Sequence, residues 1–305
     1  MSSLYRKSVP LILSIILLLN LSGCGSASSQ TSATAGKLKV SVTFNAMAEF
    51  VKAVGGDKVV ISTIIPDGTE PHDFEPKAGD LTGLSSAQVF VYNGFGMEAW
   101  ADKAVKAAGN AKLTVIEASA GATPIQSLVS SESGKQGQPD PHLWLSLKGA
   151  KIEVQNIEKG LVQADPANKD YYEANSRAFQ SALDELFQTY QSKFAAAPRK
   201  DFVTGHAAFA YFCRDFGLKQ NSVEDVFAEG EPSAKQLTEL VDYCKKNKVT
   251  TIFAEDMASP AVSKTLADEV GAKVETIHTV ESAENNLSYL DRMKDNLAKI
   301  YASLS

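Results

Sequence analysis

Residues 37–43, KLKVSVT, and 58–65, KVVISTII, are short β-branched runs, and the segment between them, AEFVKAVGG at 48–56, carries its apolar residues at helical spacing. A strand, a helix and a second strand in that order predict a parallel pair, because parallel neighbours need a crossover connection. The scheme continues outward with QVFVYNG (88–94) and KLTVIEA (112–118) as strands and MEAWADKAVKAAGN (97–110) as the helix between them. DFVTG (201–205), VTTIFAED (249–256) and AKVETIH (272–278) repeat it later in the chain. They are spaced by helical AAFAYFCRDFGL (207–218), SAKQLTELVDYCKKNK (233–248) and PAVSKTLADEVG (260–271), with a final helix from about Leu287 to Ser303. Alternation of this kind predicts an α/β protein of two lobes, each a parallel sheet with flanking helices.

Between the two sets lies an amphipathic stretch, 167–197, with Tyr171, Ala174, Ala178, Leu183, Leu186 and Tyr190 near helical spacing, ended by Pro198. It predicts one long helix of about 45 Å that joins and braces both lobes. The expected division is an N-terminal lobe over 37–166, the connecting helix over 167–197 and a C-terminal lobe over 198–305. Ser127–Gln138, rich in Ser, Gly and Gln, reads as a surface loop.

The first residues carry Arg6 and Lys7, then an apolar run from Val9 to Leu19, then Leu21, Ser22, Gly23 and Cys24. That order predicts a secretion signal over 1–23, and its apolar run is too short to span a membrane. The tetrapeptide ending at Cys24 resembles a bacterial lipobox, which implies lipidation of that thiol and an extracytoplasmic protein anchored to the membrane by lipid. Residues 24–36 are dominated by Gly, Ser, Ala and Thr and read as a flexible tether. Without the signal the chain has 28 basic residues against 36 acidic ones, and such a balance argues against nucleic acid as a partner. Cys213 and Cys244 have no metal-site spacing and read as buried hydrophobes, with a disulfide between them left open.

The sequence holds four histidines, His72, His142, His206 and His278. Three follow a strand signal or a turn, where α/β proteins present ligands from the carboxyl ends of strands. Taken singly, each reads as a surface or capping residue. Taken together, in turn-rich and aromatic-flanked contexts, they point to a shared metal site, since imidazole suits zinc. Spacing leaves both readings open.

The phrases PDGTEPHDFEPKAGDL (66–81), YNGFGMEAW (92–100), DPHLWLSL (140–147), TGHAAFAYF (204–212), FAEGEPSAKQL (227–237) and IFAEDMASP (252–260), in this order after a lipobox, resemble the zinc and manganese solute-binding lipoproteins of ABC transporters, some of which are also named adhesins. The likeness covers essentially the whole chain after the signal. It implies two α/β lobes, a long connecting helix and one metal ion in the cleft between the lobes. The family's ligands fall on His72, His142 and His206. Manganese members usually carry glutamate at the third position, so histidine there favours zinc over manganese. The fourth ligand, a carboxylate after the last strand, falls on Glu281, with His278 as its competitor. Glu284 reads as a cap of the final helix.

Leu143, Trp144, Phe209, Tyr211 and Phe212 read as a dry shell around the ligand loops, and Glu98 and Trp100 as interlobe packing. Glu255 and Asp256 read either as caps or an interlobe ion pair, or as carboxylates that orient a ligand histidine. Segment 127–138 contains no histidine, so a second zinc site there is not expected. The expected function is capture of Zn2+ by a monomeric binding protein and its delivery to an ABC permease and its ATPase. Manganese binding or surface adhesion are the alternatives. A zinc hydrolase fits poorly, because four protein ligands leave no place for an activated water.

Overall fold

The computed structural model describes residues 36–126, 137–226, 233–255, 260–283 and 286–305. The signal, Cys24, Asp256, Glu284 and segment 127–136 lie outside the described residues.

The first sheet contains β1 (Leu38–Val42), β2 (Val59–Thr63), β3 (Val89–Tyr92) and β4 (Thr114–Glu117), all parallel, in the order β2-β1-β3-β4. Leu38 pairs with Val59, Val40 with Val89, and Val89 with Thr114. The second sheet contains β5 (Asp201–Thr204), β6 (Lys219–Ser222), β7 (Thr251–Glu255) and β8 (Lys273–Ile277), again all parallel, in the order β6-β5-β7-β8. The second lobe therefore repeats the strand order of the first. All five residues of β7 are buried, as expected of an inner parallel strand covered on both faces.

Strand β6 has no counterpart in the sequence reading. Its residues, KQNS, include no β-branched or aromatic side chain. What makes it a strand is backbone pairing to β5 from Asp201–Lys219 to Thr204–Ser222, a tertiary interaction that local propensity does not carry.

The helices are α1 (Asn45–Gly55), α2 (Ala101–Ala108), α3 (Leu147–Ala164), α4 (Lys169–Ala196), α5 (Ala210–Phe216), α6 (Ala234–Asn247), α7 (Pro260–Val270) and α8 (Tyr289–Ser303). Helix α4 has 28 residues and so runs about 42 Å. It stops two residues before Pro198, because the residue preceding a proline is pushed out of helical backbone. Its buried Tyr172, Ser176, Leu183, Tyr190 and Phe194 form the stripe with which it packs on α1 and α3 of one lobe and on α5 and α8 of the other.

Helix α8 begins at the N-cap Ser288, whose hydroxyl accepts from the Asp291 amide in a capping box. Ser288 is of the residue type that best seats a helix N-terminus. Although α8 follows the second sheet, it reaches into the first lobe. Tyr289 stacks edge-on against Phe50 of α1 at 4.8 Å, its amide donates to Glu49 at 2.9 Å, and Arg292 donates to Asn45 at 2.6 Å. The largest buried hydrophobic cluster consequently runs unbroken from Val40 and Phe44 through Val154 and Leu183 to Phe202, Met293 and Ile300. Cys213 and Cys244 are both buried free thiols.

Two buried carboxyls lie inside the first lobe. Glu98 accepts hydrogen bonds from the Thr43 hydroxyl (2.7 Å) and the amides of Asn93 (3.0 Å) and Gly94 (3.1 Å). It braces loops of one lobe, and Trp100 packs edge-on against Phe74 of the same lobe, so the interlobe role expected of this pair is corrected. Burial pushes the Glu98 carboxyl up to about 7. Glu153, on α3, is fully buried with no hydrogen-bond partner at either oxygen, and burial, then the charge of Glu98, hold its carboxyl well above the ordinary range.

A carboxyl raised in this way keeps a proton that the unfolded chain gives up, so it withdraws stability as pH climbs above the ordinary carboxyl value. Glu153→Gln removes that liability. The expected result in calorimetric melting is a Tm about 3 °C above the parent at pH 8, with the gap closing towards pH 4.5. A variant that melts below the parent at every pH contradicts this account.

Candidate metal centre

Four side chains converge where the two sheets present the carboxyl ends of their strands. His72 lies in the loop after β2, His142 in the turn that leads into α3, His206 directly after β5, and Glu281 four residues after β8. One ligand atom from each lies within 4.8 Å of all the others.

The distances are those of a small cation's coordination shell. His142 Nε2 is 3.1 Å from His72 Nε2 and 3.2 Å from His206 Nε2, and Glu281 Oε1 is 3.7 Å from both His72 Nε2 and His142 Nε2. A tetrahedron with metal–ligand bonds of about 2.0–2.1 Å has an edge of about 3.3 Å. These four separations lie within a few tenths of an ångström of that edge, and all four side chains are at most 5% exposed.

For His142, His206 and Glu281, neighbouring groups fix which atom faces inward. His142 is held through Nδ1, 2.9 Å from Asp140 Oδ1, which also accepts from the His142 amide at 2.9 Å. His206 has its Nδ1 3.5 Å from Glu255 Oε1, and that oxygen accepts from the His206 amide at 3.1 Å. A carboxylate at Nδ1 keeps the proton there and leaves the Nε2 lone pair aimed at the cluster. Glu281 is prepared in the same way. Its Oε2 accepts from the Thr279 hydroxyl at 2.7 Å, while its buried Oε1 has no hydrogen-bond partner. Val280, just before it, has φ of 62°, a left-handed conformation that costs a β-branched residue about 1–3 kcal/mol and that the surrounding contacts must over-determine.

The charge balance follows from this crowding. Burial alone lowers the His206 imidazolium, but its bond to Glu255 and the charges of Glu255, Glu281 and Glu70 outweigh burial and raise it to about 9. Burial likewise works against a charged His142, and Asp140 and Glu281 overcome it. For Glu281 burial is opposed by contact with His142 and by the charges of His206 and His72, which hold its carboxyl at about 2. Glu70, whose carboxylate accepts from the His72 amide at 3.2 Å, is pushed up to about 7 by burial and by Glu281. Without a metal ion, the cluster keeps its charges balanced by holding protons.

His278 stands apart from this group. Its backbone is paired with the Asn296 side chain and its Nε2 lies 3.1 Å from Asp295 on α8.

A family model described as zinc-uptake complex component A, periplasmic (ZnuA), matches residues 40–303. The chain belongs to the ZnuA family. Among proteins similar to it, a putative metal-binding protein of Treponema pallidum (strain Nichols) is 45% identical over 277 residues, 88% of each chain. The high-affinity zinc uptake system protein ZnuA of Bacillus subtilis (strain 168) is 36% identical over 318 residues, 99% of each chain. Among solved structures, the laminin-binding protein Lmb of Streptococcus agalactiae, described as bifunctional with adhesin and metal-transporting activity, superposes with a TM-score of 0.81 at 35% identity. The match covers 88% of this chain and 100% of that one.

Within this ZnuA-family site, Asp140, Thr279 and Glu70 are contributors that the sequence reading passed over. Each lies two residues from a ligand candidate, and that spacing was the available signal. Glu255, left open between two roles, sits on His206. A Cβ on Gly205 would lie 1.9 Å from Glu255 Oε2, so the chain passes as close to this carboxylate as a glycine permits. The aromatic shell is less dry than expected. Trp144 Nε1 donates to the Thr279 carbonyl at 2.7 Å and the Tyr211 hydroxyl to the Asp140 carbonyl at 2.7 Å.

If Glu255 holds the proton on His206, then neutralising it lowers the imidazole titration. In proton NMR of the metal-free protein, His206 should titrate near 9, and in Glu255→Gln at least about one unit lower. An unchanged midpoint in the variant would show that Glu255 does not control this histidine.

Proposed function

We infer that this chain is the extracytoplasmic binding component of a zinc importer. In this reading it captures one Zn2+ between its lobes with His72, His142, His206 and Glu281 and hands the ion to a membrane permease driven by its ATPase. The observation that carries the reading is the convergence of three imidazole nitrogens and one carboxylate oxygen without a hydrogen-bond partner, all within 4.8 Å of one another. Three nitrogens and a single oxygen suit zinc, whereas manganese prefers a set richer in oxygen. Capture without catalysis is supported by the same count, since four protein ligands occupy every position of a closed tetrahedral site. The Streptococcus agalactiae neighbour is described as having adhesin and metal-transporting activity together, so an adhesive role is compatible with this use of the cleft.

Zinc must displace protons to bind. Because His206 holds its proton up to about 9, that competition begins well above the pH near 6.5 at which an ordinary histidine would start to lose metal. Titration calorimetry should therefore give one zinc per chain with net proton release at pH 7.5, the release fading as pH rises past about 9. Alanine at His72, His142 or His206 should each weaken zinc by more than about 100-fold, beyond the range for loss of an outer partner. Glu281→Ala should still bind but release faster. Three histidine variants that bind as tightly as the parent would place the site elsewhere.

We further propose that the chain is held at the membrane by lipid on Cys24. Palmitate labelling of cells expressing the parent and Cys24→Ala should mark the parent alone, and label on the variant rules the anchor out.

A further inference from the structure

Glu281 is the one carboxylate of the four-residue cluster, and a carboxylate can give a cation one oxygen or two. How many it gives decides whether the protein supplies four donors or five. Thr279, 2% exposed, donates its hydroxyl to Glu281 Oε2 at 2.7 Å. The buried Oε1 has no hydrogen-bond partner and lies 3.7 Å from both His72 Nε2 and His142 Nε2. The two oxygens of this carboxylate are thus distinguished, one engaged by the protein and the other directed at the cluster.

The backbone that carries this hydroxyl is held in place from the other lobe. The Thr279 carbonyl accepts from Trp144 Nε1 at 2.7 Å, and the Trp144 carbonyl accepts from the Tyr289 hydroxyl at 2.6 Å. Trp144 is fully buried, with the Phe44 ring edge-on at 4.9 Å. It lies two residues after His142, so the turn that carries one ligand also braces the backbone behind another. On the far side of Val280, the Asn45 amide donates to the Glu281 carbonyl at 3.3 Å. Thr279 and Glu281 are therefore each fixed independently of the hydrogen bond between their side chains.

We propose that Thr279 is a specificity-determining residue: by occupying Oε2 it confines Glu281 to coordination through one oxygen, and so favours zinc over manganese. The proposal rests on the reading of the four-residue cluster as a zinc site. Zinc accepts a closed set of four protein ligands, whereas manganese favours carboxylate oxygen and a larger number of ligands. Thr279→Val replaces the hydroxyl by a methyl group of similar volume. A buried carboxylate oxygen that loses its donor bears the cost of desolvation without a partner. Coordination to the bound ion as a second oxygen relieves that cost, and a fifth, hard donor benefits manganese more than zinc. Thr279→Ser keeps the hydroxyl and loses the methyl alone.

The test is titration of the metal-free full chain with Zn2+ and with Mn2+, each in competition with a chelator, together with the visible spectrum of the Co2+ form. Co2+ reports ligand number, because its visible bands are intense in four-coordinate sites and weaken when a fifth ligand joins. Thr279→Val should lower the zinc-to-manganese affinity ratio by at least about 10-fold, the effect of one hydrogen bond to a charged group, and should weaken the Co2+ bands. Thr279→Ser should keep the ratio within about 2-fold of the parent and keep its spectrum. Thr279→Ala, which also lacks the hydroxyl, should shift both readouts in the direction of Thr279→Val, and stands in for it if the valine variant does not fold. An unchanged ratio in the variants that lack the hydroxyl overturns the proposal. So does an equal loss for both metals with a parent-like Co2+ spectrum, which makes Thr279 a structural support, or a serine variant altered as much as valine, which assigns the effect to packing of the methyl. Co2+ bands of a five-coordinate ion in the parent overturn the proposal alone. Failure of the parent to take up zinc overturns the underlying reading, and is seen before any variant is compared.

Discussion

Electron pairs that converge without hydrogen between them repel one another, and the rest of this structure is arranged around that fact. Three imidazole nitrogens and a carboxylate oxygen are buried within 4.8 Å of one another. Such a cluster is tolerable with protons or a cation at its centre, and costly with neither. The protein resists the repulsion from outside. Asp140 and Glu255 hold two rings through their far nitrogens, Thr279 holds the far carboxylate oxygen, and the left-handed Val280 turns Glu281 inward. Each of these contacts withholds an alternative hydrogen bond from a ligand and leaves it with one unmet need.

Parallel sheets make the convergence possible. Loops that leave the carboxyl ends of parallel strands emerge on one side, so two sheets of the same strand order supply side chains from both lobes to one cluster. Two of the four stay close to their strands, His206 two residues after β5 and Glu281 four after β8, whereas His72 and His142 sit in longer connections. Binding-site precision is thereby inherited from the sheets, the most constrained part of the molecule.

Much of this was legible in the residues themselves. Alternating β-branched and helical segments specify parallel lobes through local pattern, and seven of the eight strands carry that pattern. The eighth, Lys219–Ser222, is a strand by virtue of its neighbour. The long helix was visible because its apolar stripe and terminal proline are both local features. The three histidines stood out by their rarity, while whether Glu281 or His278 joins their cluster depended on which way a three-residue offset turns the chain, and the Asn296 and Thr279 contacts turn Glu281 towards it. Glu98 was misread for a related reason. A buried carboxyl is identified by the amides that reach it, here Asn93 and Gly94, and nothing in an isolated glutamate indicates whether those donors belong to its own lobe or to the other.

The continuous core described above has a consequence for how the chain acquires its shape. Two sheets with identical strand order suggest a duplicated unit that could be cut into halves. However, α4 packs on both lobes and α8 delivers Tyr289 and Arg292 into the first, so neither half encloses a complete interior. A polypeptide ending before α8 would leave Phe50 with the Phe179 ring but without the closer Tyr289 ring that packs edge-on against it. The described residues therefore form one cooperative unit with an internal pseudo-repeat, in which a helix that follows the second sheet completes the first lobe.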